Sequence, residues 1–379
     1  MKIGCITSYR IPSRAANSIQ VMKVCQALAQ LGHDVRLWSP GKVHTPSHEL
    51  AAWYGLNTSF VIEWLPDLPR LKRYDFAVKA VQRAIQAKVD LVYTWLPQAG
   101  FLSLLRGLPL LLELHDRPTG RIGPWLLRRI DAMHGRKRFA VITRALESAL
   151  RREFMLKLDQ NNTVIAPNGV DLDRFSDLPS PSEARAQLNL PERLTAVYSG
   201  HFYAGRGMDI LLGLARSFPQ VQFLWVGGQP EAVEHHRKII AGQGVVNVVM
   251  TGFIENQRLP VYQAAGEILL MPYERVIAGS GGGNSADICS PMKMFEYLAC
   301  GRAILTSDLL VLREVLNDSN AVFCPPEELS GWCAALQELV DNPSRVAVLS
   351  RQARHDAVGY TWLARTQKIM DNFPLAGKP

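Results

Sequence analysis

Strand-like and helix-like segments alternate along this chain, and the series runs twice. In the first half the runs IGCITS, DVRLWS, LVYTW, LLLEL, AVIT and TVIAP read as strands, separated by segments of helical period at 17–31, 75–88 and 144–155. After the turn signal Asn168-Gly169 the pattern restarts. TAVYSG, VQFLWVGG, VNVVMTGFI, EILLMPY, RAILTS and AVFCPP are strands, with helices around 207–218, 230–243, 291–300 and 327–341. Such alternation implies parallel sheets covered by helices on both faces, because parallel neighbours need a crossover between them. Two series predict two doubly wound α/β domains joined near 168–176. Ligands of these sheets bind outside the carboxyl ends of the strands, so the cleft between the domains is the expected site. A last amphipathic pattern, TWLARTQKIMDNF, is too short to be a domain.

Length and composition agree with this. A chain of 379 residues exceeds one ordinary core. With 47% hydrophobic and 20% charged residues it is neither disordered nor fibrous. No apolar run reaches the roughly 18 residues of a spanning helix, and the N-terminal MKIGCITSYR lacks a signal peptide's long apolar region. A cytoplasmic protein is expected. Six cysteines stand far apart with no C-x-x-C pair, which predicts single thiols rather than a zinc site or a disulfide framework. Residues 1–170 hold 24 Lys+Arg against 12 Asp+Glu, and residues 171–379 hold 18 against 22. The basic half therefore either faces an anionic partner or is a well-solvated surface.

Three loops carry candidate chemistry. SYRIPSRAANSIQ, after the first strand, enters a helix with Asn17 or Ser18 as N-cap. It has no G-x-G-x-x-G, which argues against a dehydrogenase. Ala15 and Ala16 still let a phosphate approach the backbone, although an ordinary strand–helix connection fits equally. GHFYAGRGMD places His201 and Arg206 five apart on a turn before a helix, where both can address a diphosphate or simply be solvated. In ICSPMKMFEYLACGRAILTS, Ser290 reads as N-cap and Pro291 as the first helical residue, so the helix amides form an anion site. Glu296 sits among apolar neighbours and needs either the two hydroxyls of a ribose or a salt bridge. The Gly-rich GSGGGNS (279–285) lacks the Gly-Lys-Ser/Thr ending of a P-loop and reads as a lid beside the donor.

The segments PSRAANSIQVMKVCQALAQLGHDV, VIAPNGVDLDRF, YSGHFYAGRGMDILL and SPMKMFEYLACGRAILTSDLLVLREVL together resemble the retaining glycosyltransferases of the GT-B fold, family four in particular. The resemblance covers most of the chain and is weakest between about 41 and 90. It implies an acceptor-binding Rossmann-like domain over 1–169, completed by a returning C-terminal helix at 360–379, and a donor-binding one over 170–359. It places His201 and Arg206 on the donor diphosphate, and Ser290, Pro291, Met292 and Lys293 beside it. Glu296 would hold the ribose. The family's first glutamate falls at Ile288, with Asp287 as the neighbouring substitute. Gly252, Phe253 and Ile254 would lie against the base, Ala16 and Asn17 at the first loop, and His115 near the transferred sugar and acceptor.

The implied reaction is transfer of a hexose from a UDP- or GDP-linked sugar to a glycan, lipid-linked or small-molecule acceptor. No metal and no cofactor are expected. With no carboxylate in a distinctive setting, front-face attack assisted by the leaving phosphate is the expected route. A nucleotide-sugar epimerase and a non-catalytic binding subunit are the alternatives. No nucleic-acid partner is expected. RIGPWLLRRIDAMHGRKRF (121–139), taken as one helix, has an apolar stripe flanked by cations, which predicts either attachment to an anionic inner membrane face or packing on the first sheet.

Overall fold

The computed structural model describes residues 1–42, 44–277 and 284–373. The chain divides into two compact units, Met1–Asn168 with the segment from Trp362 onward, and Gly169–Thr361.

In the first unit the strands are β1 (Lys2–Ile6), β2 (Asp34–Pro40), β3 (Val61–Leu65), β4 (Leu91–Thr94), β5 (Leu110–Leu114), β6 (Lys137–Val141) and β7 (Thr163–Ile165). Its helices are α1 (Ala16–Gln30), α2 (Ser47–Tyr54), α3 (Tyr74–Gln86), α4 (Pro97–Leu105), α5 (Ile122–Ala132) and α6 (Arg144–Phe154). The strands form a parallel sheet in the order β3-β2-β1-β4-β5-β6-β7. The short strands β4 and β5 are buried at every residue, Glu113 included, as a sheet covered on both faces demands. Ile6, Trp38, Phe76 and Val92 belong to one core cluster there.

The second unit repeats the plan. Helices α7 (Pro181–Gln187), α8 (Met208–Ser217), α9 (Pro230–Gly242), α10 (Leu259–Ala264), α11 (Met292–Cys300), α12 (Leu329–Asp341) and α13 (Pro343–Ala357) surround β8 (Thr195–Gly200), β9 (Gln222–Gly227), β10 (Val248–Gly252), β11 (Ile268–Met271), β12 (Ala303–Ser307) and β13 (Ala321–Cys324). The parallel order is β10-β9-β8-β11-β12-β13. Tyr198, Trp225, Leu214 and Trp332 lie in its core. A last helix, α14 (Trp362–Met370), belongs to the first unit and packs on α1.

Both halves are thus Rossmann-like, and every strand read from the sequence is present. The elements that went unread are β3, α2, α4, α7, α10 and α13, and α5 was read only as part of 121–139. That segment is not one helix. It leaves helical geometry at Met133, turns at Gly135 (φ 130°) and enters β6. Leu126, Leu127 and Ile130 are buried, and Arg138 is buried with its guanidinium donating to the carbonyls of Ile369, Asp371 and Asn372. The six cysteines are free, four of them buried.

Candidate active site

In each sheet the strand order reverses once, between β1 and β4 and between β8 and β11. Crossovers leave that point in opposite directions, so the loops beyond the strand ends part and leave a crevice.

In the second unit the loop Gly200–Gly207 follows β8 at this point. Gly207 has φ 72°, and a Cβ there would stand 1.8 Å from the Pro272 carbonyl oxygen, so only glycine lets the loop pass the end of β11. The Glu274 carboxylate accepts from the amides of Gly205 and Gly207, both at 3.1 Å, which fixes the loop. Arg206 then lies with its guanidinium carbon 4.8 Å from the Tyr203 ring centre and 4.7 Å from that of Tyr273. It donates to the Tyr203 hydroxyl. Burial opposes its charge, but the oxygens of Tyr273 and Tyr203 outweigh this and hold it protonated. Its Nε is buried without a hydrogen-bond partner among the described residues.

Lys293 reaches the same place from α11. Its Nζ lies 3.9 Å from the centre of the Tyr198 ring and 5.3 Å from that of Tyr273, a cation–π setting. It too is buried and finds no acceptor among the described residues. Burial and then Arg206 push the ammonium well down from its usual pKa, with Glu296 acting against them. His201 stands at the exposed mouth, its ring 5.5 Å from that of Tyr203. Desolvation, Arg206 and Lys293 lower its pKa, so the imidazole is neutral at pH 7. The second basic side chain beside Arg206 therefore comes from α11, with His201 contributing a neutral ring.

The start of that helix differs from the sequence reading. Pro291 is the N-cap, in extended geometry, and Met292 is the first helical residue. Pro291 takes ψ 126° instead of helical geometry, so Ser290 lies one residue before the N-cap, and it is buried. One turn on, Glu296 accepts from Gln263 Nε2 at 3.2 Å and makes no ion pair among the described residues. Ile288 is buried and Asp287 exposed. Gly252 ends β10 and Phe253 and Ile254 follow it, two strands from β8 at the same end of the sheet, with Phe253 half exposed. The tract 279–285 lies outside the described residues except for Asn284 and Ser285.

In the first unit α1 begins at Ala16, and the N-cap is Ala15 without a side-chain bond. Neither Asn17 nor Ser18 caps it. Asn17 donates to the Tyr9 hydroxyl at 2.9 Å, and Ser18 Oγ donates back to the carbonyls of Ser13 and Ala15. His115 follows β5, its Nε2 2.6 Å from Glu113 Oε1. Glu113 is fully buried and also accepts from Gln20, Tyr93 and Arg365. Burial raises the Glu113 carboxyl, and Arg365, His115 and Tyr93 together override it, holding the pKa at about 2.

Glu113, Glu274 and Gln263 were missed in the sequence. The signal for Glu113 was there: one carboxylate inside the apolar strand LLLEL cannot be buried without donors. Glu274 bonds to backbone amides and Gln263 is a neutral amide that donates to Glu296, which leaves no mark in composition or spacing.

Residues 18–174 match the family model "Glycosyltransferase Family 4" and residues 193–342 match "Glycosyl transferases group 1". The chain is a group 1 glycosyltransferase resembling family 4. This glycosyltransferase is 24% identical over 387 residues to the phosphatidyl-myo-inositol mannosyltransferase of Mycolicibacterium smegmatis, covering 98% of the chain and 92% of the relative. It is 23% identical over 203 residues to an alpha-galactosylglucosyldiacylglycerol synthase of Streptococcus pneumoniae, covering 52% of the chain and 50% of that protein. Its fold matches that of a sucrose-phosphate synthase from Thermosynechococcus elongatus, with a TM-score of 0.74 at 20% identity over 97% of both chains. The Anabaena protein HepE, solved with UDP-glucose, also matches at 0.74 and 17% identity, over 97% of this chain and 98% of that one. These neighbours make it a GT-B glycosyltransferase in fold. Among the described residues, no helix is long and apolar enough to cross a membrane.

Proposed function

We propose that the protein is a retaining hexosyltransferase that takes its sugar from a UDP- or GDP-linked donor. The observation that carries this reading is the pair of buried donors, Arg206 Nε and Lys293 Nζ, without acceptors among the described residues. They sit at the reversal point of the second sheet. Buried cations left without partners are strongly unfavourable, and a diphosphate supplies both negative charge and acceptor oxygens. The amides at the start of α11 add to the same site. Glu296, held by one neutral hydrogen bond, is free to accept from the two ribose hydroxyls. Gly252 to Ile254 would face the base.

In this mechanism the bond between C1 of the sugar and the phosphate oxygen breaks, and its electron pair stays on the phosphate. Arg206 and Lys293 stabilise that charge as it develops, with His201 giving one hydrogen bond. The acceptor hydroxyl attacks C1 from the same face and passes its proton to the departing phosphate oxygen, so the configuration is retained. His115 orients the sugar or the acceptor. The chain's own cations supply the charge, so no resident metal is part of this proposal, and EDTA should leave turnover unchanged.

The acceptor proposed is a glycan or a lipid-linked one. Support comes from the relatives named for transfer to phosphatidyl-myo-inositol and for a diacylglycerol product. Support also comes from α5, where Ile122 and Trp125 are 55% and 46% exposed beside exposed Arg121, Arg128 and Arg129. The enzyme would then be cytoplasmic and peripheral to the inner membrane face. A thermal-shift screen of UDP-, GDP- and ADP-sugars, followed by NMR of the product's anomeric centre, tests the reading. A selective rise in melting temperature and a product of unchanged configuration are expected. An inverted product would exclude the retaining mechanism, and no stabilisation by any nucleotide sugar would exclude the donor class.

A further inference from the structure

The C-terminal helix reaches the His115 loop through a single buried carboxylate. Glu113 Oε1 accepts from Gln20 Nε2 of α1 at 2.6 Å, lies 2.6 Å from His115 Nε2, and accepts from Arg365 Nη2 of α14. Its Oε2 accepts from Tyr93 of β4. Arg365 is itself fixed, donating from Nε to the Pro167 carbonyl at 2.7 Å and from Nη2 to the Ala166 carbonyl at 3.1 Å. Side-chain exposure is 0% for Glu113, 3% for Arg365 and 14% for His115. Two ions and a phenol are thus locked beneath a ring that still meets solvent. His115 Nδ1 has no partner among the described residues.

We propose that Glu113, clamped by Arg365, is the positioning residue of His115. It accepts the Nε2 proton and so leaves Nδ1 as the atom offered to a substrate hydroxyl. This rests on the reading of His115 as the residue that orients sugar or acceptor.

Glu113 is ionised and an ionised carboxylate only accepts, so at 2.6 Å the imidazole must supply the N–H. That selects the Nε2-protonated form of the neutral ring, and Nδ1 becomes an acceptor. A hydroxyl of the transferred sugar that donates to Nδ1 is fixed in orientation, while the attacking acceptor hydroxyl keeps its own proton for the departing phosphate oxygen. The C-terminal helix enters the site in this way although none of its side chains meets substrate: Arg365 holds Glu113 ionised and in place. Burial alone would favour the neutral acid, whose own proton would compete for the position of the histidine's.

Two measurements test this. The side-chain ¹⁵N spectrum of His115 in the parent protein should show a protonated Nε2 and an unprotonated Nδ1 in the neutral ring. The opposite pattern would overturn the proposal without any variant. The second compares Glu113→Gln with the double variant Glu113→Leu/Arg365→Met, which removes both charges together and leaves neither ion buried alone. Both should bind the sugar nucleotide as the parent does, while kcat falls at least about tenfold and the His115 tautomers interconvert. A purely structural role predicts that kcat follows the melting temperature, so a folded double variant with parental kcat would also overturn the proposal. His115→Ala separates this failure from that of the underlying reading. If His115→Ala is fully active, the role of His115 itself is wrong. If it is inactive while the folded double variant is active, only the Glu113 assignment falls.

Discussion

A Cβ on Gly200 would stand 2.6 Å from the Nζ of Lys293, closer than any real contact of that kind. Gly200 has φ 147°, and its missing side chain is the space into which the amine of α11 extends. The clashing atom is the tip of a flexible chain, so Gly200→Ala displaces the amine rather than unfolding the loop. Backbone strain at this φ costs roughly 1–3 kcal/mol. The variant should melt lower by a corresponding few degrees and bind nucleoside diphosphate about tenfold more weakly. Calorimetry at fixed pH checks this, and parental affinity would detach Lys293 from the diphosphate.

Lys293→Met should separate stability from binding. Its ammonium is depressed well below 10.5 by burial and by Arg206. The unfolded chain therefore holds the proton more tightly than the folded one. Stability is lost as pH falls from 10.5 to the folded pKa, because over that range the unfolded chain takes up the proton and the buried amine does not. A thioether has no such cost, so the melting advantage of Lys293→Met over the parent should widen as pH falls from 10. The same variant should lose about 1.5–3 kcal/mol of diphosphate affinity, the contribution of a charged hydrogen bond. Parallel melting curves across pH would refute the first half of this.

Arg206→Ala should reduce turnover by about a hundredfold or more, by analogy with removing one preorganised donor to a developing anion. His201→Ala should cost less. Its ring is neutral at pH 7 because Arg206 and Lys293 add to partial desolvation in lowering its pKa. Steady-state kinetics of the two variants side by side give the ratio, and equal losses would show that His201 carries charge in the complex.

The contrast between these residues shows what the sequence held. Parallel, doubly wound sheets follow from the β-α alternation, and Arg206 and Lys293 stand out as cations near glycines and a helix start. That Lys293, not His201, supplies the second buried cation depends on the rotamer of a long side chain crossing to β8. Spacing cannot encode that. The start of α11 moved by one residue because Pro291 itself is extended and Met292 opens the helix, a one-residue effect on a correct helix. The amphipathic reading of 121–139 failed for a different reason. Helical period was carried through Gly135 into a strand, where Arg138 alternates inward instead of following an arginine face. Glu113 was legible as a misplaced charge, but its partner Arg365 lies 252 residues away, beyond any local pattern.

Glu296→Ala should weaken nucleotide-sugar binding by about 2–4 kcal/mol, the value of two charge-assisted hydrogen bonds. Stability should change much less, since the protein itself gives Glu296 one bond from Gln263 at 3.2 Å. Titration calorimetry against thermal melting compares the two losses. Unchanged donor affinity with a lowered melting temperature would make Glu296 a support for α10 and nothing more.

Membrane attachment, if α5 provides it, now has a narrower footprint than 121–139. Arg138 is excluded, because its guanidinium is buried against carbonyls after α14, and Arg138→Gln should destabilise the first unit rather than alter binding. The remaining cations are Arg121, Arg128 and Arg129, all exposed, with Arg129 5.6 Å from the centre of the exposed Trp125 ring. Each cation near an anionic surface contributes about 1 kcal/mol, screened by salt. Flotation with anionic vesicles at low salt should therefore recover the parent, high salt should release it, and neutral vesicles should not bind it. The triple change Arg121→Gln, Arg128→Gln, Arg129→Gln should reduce binding by about two orders of magnitude at an unchanged melting temperature. Trp125→Ser should weaken what remains at high salt, where only the apolar contact acts. If the parent ignores anionic vesicles at low salt, the arginines of α5 are solvated charges and the acceptor reaches the enzyme from solution.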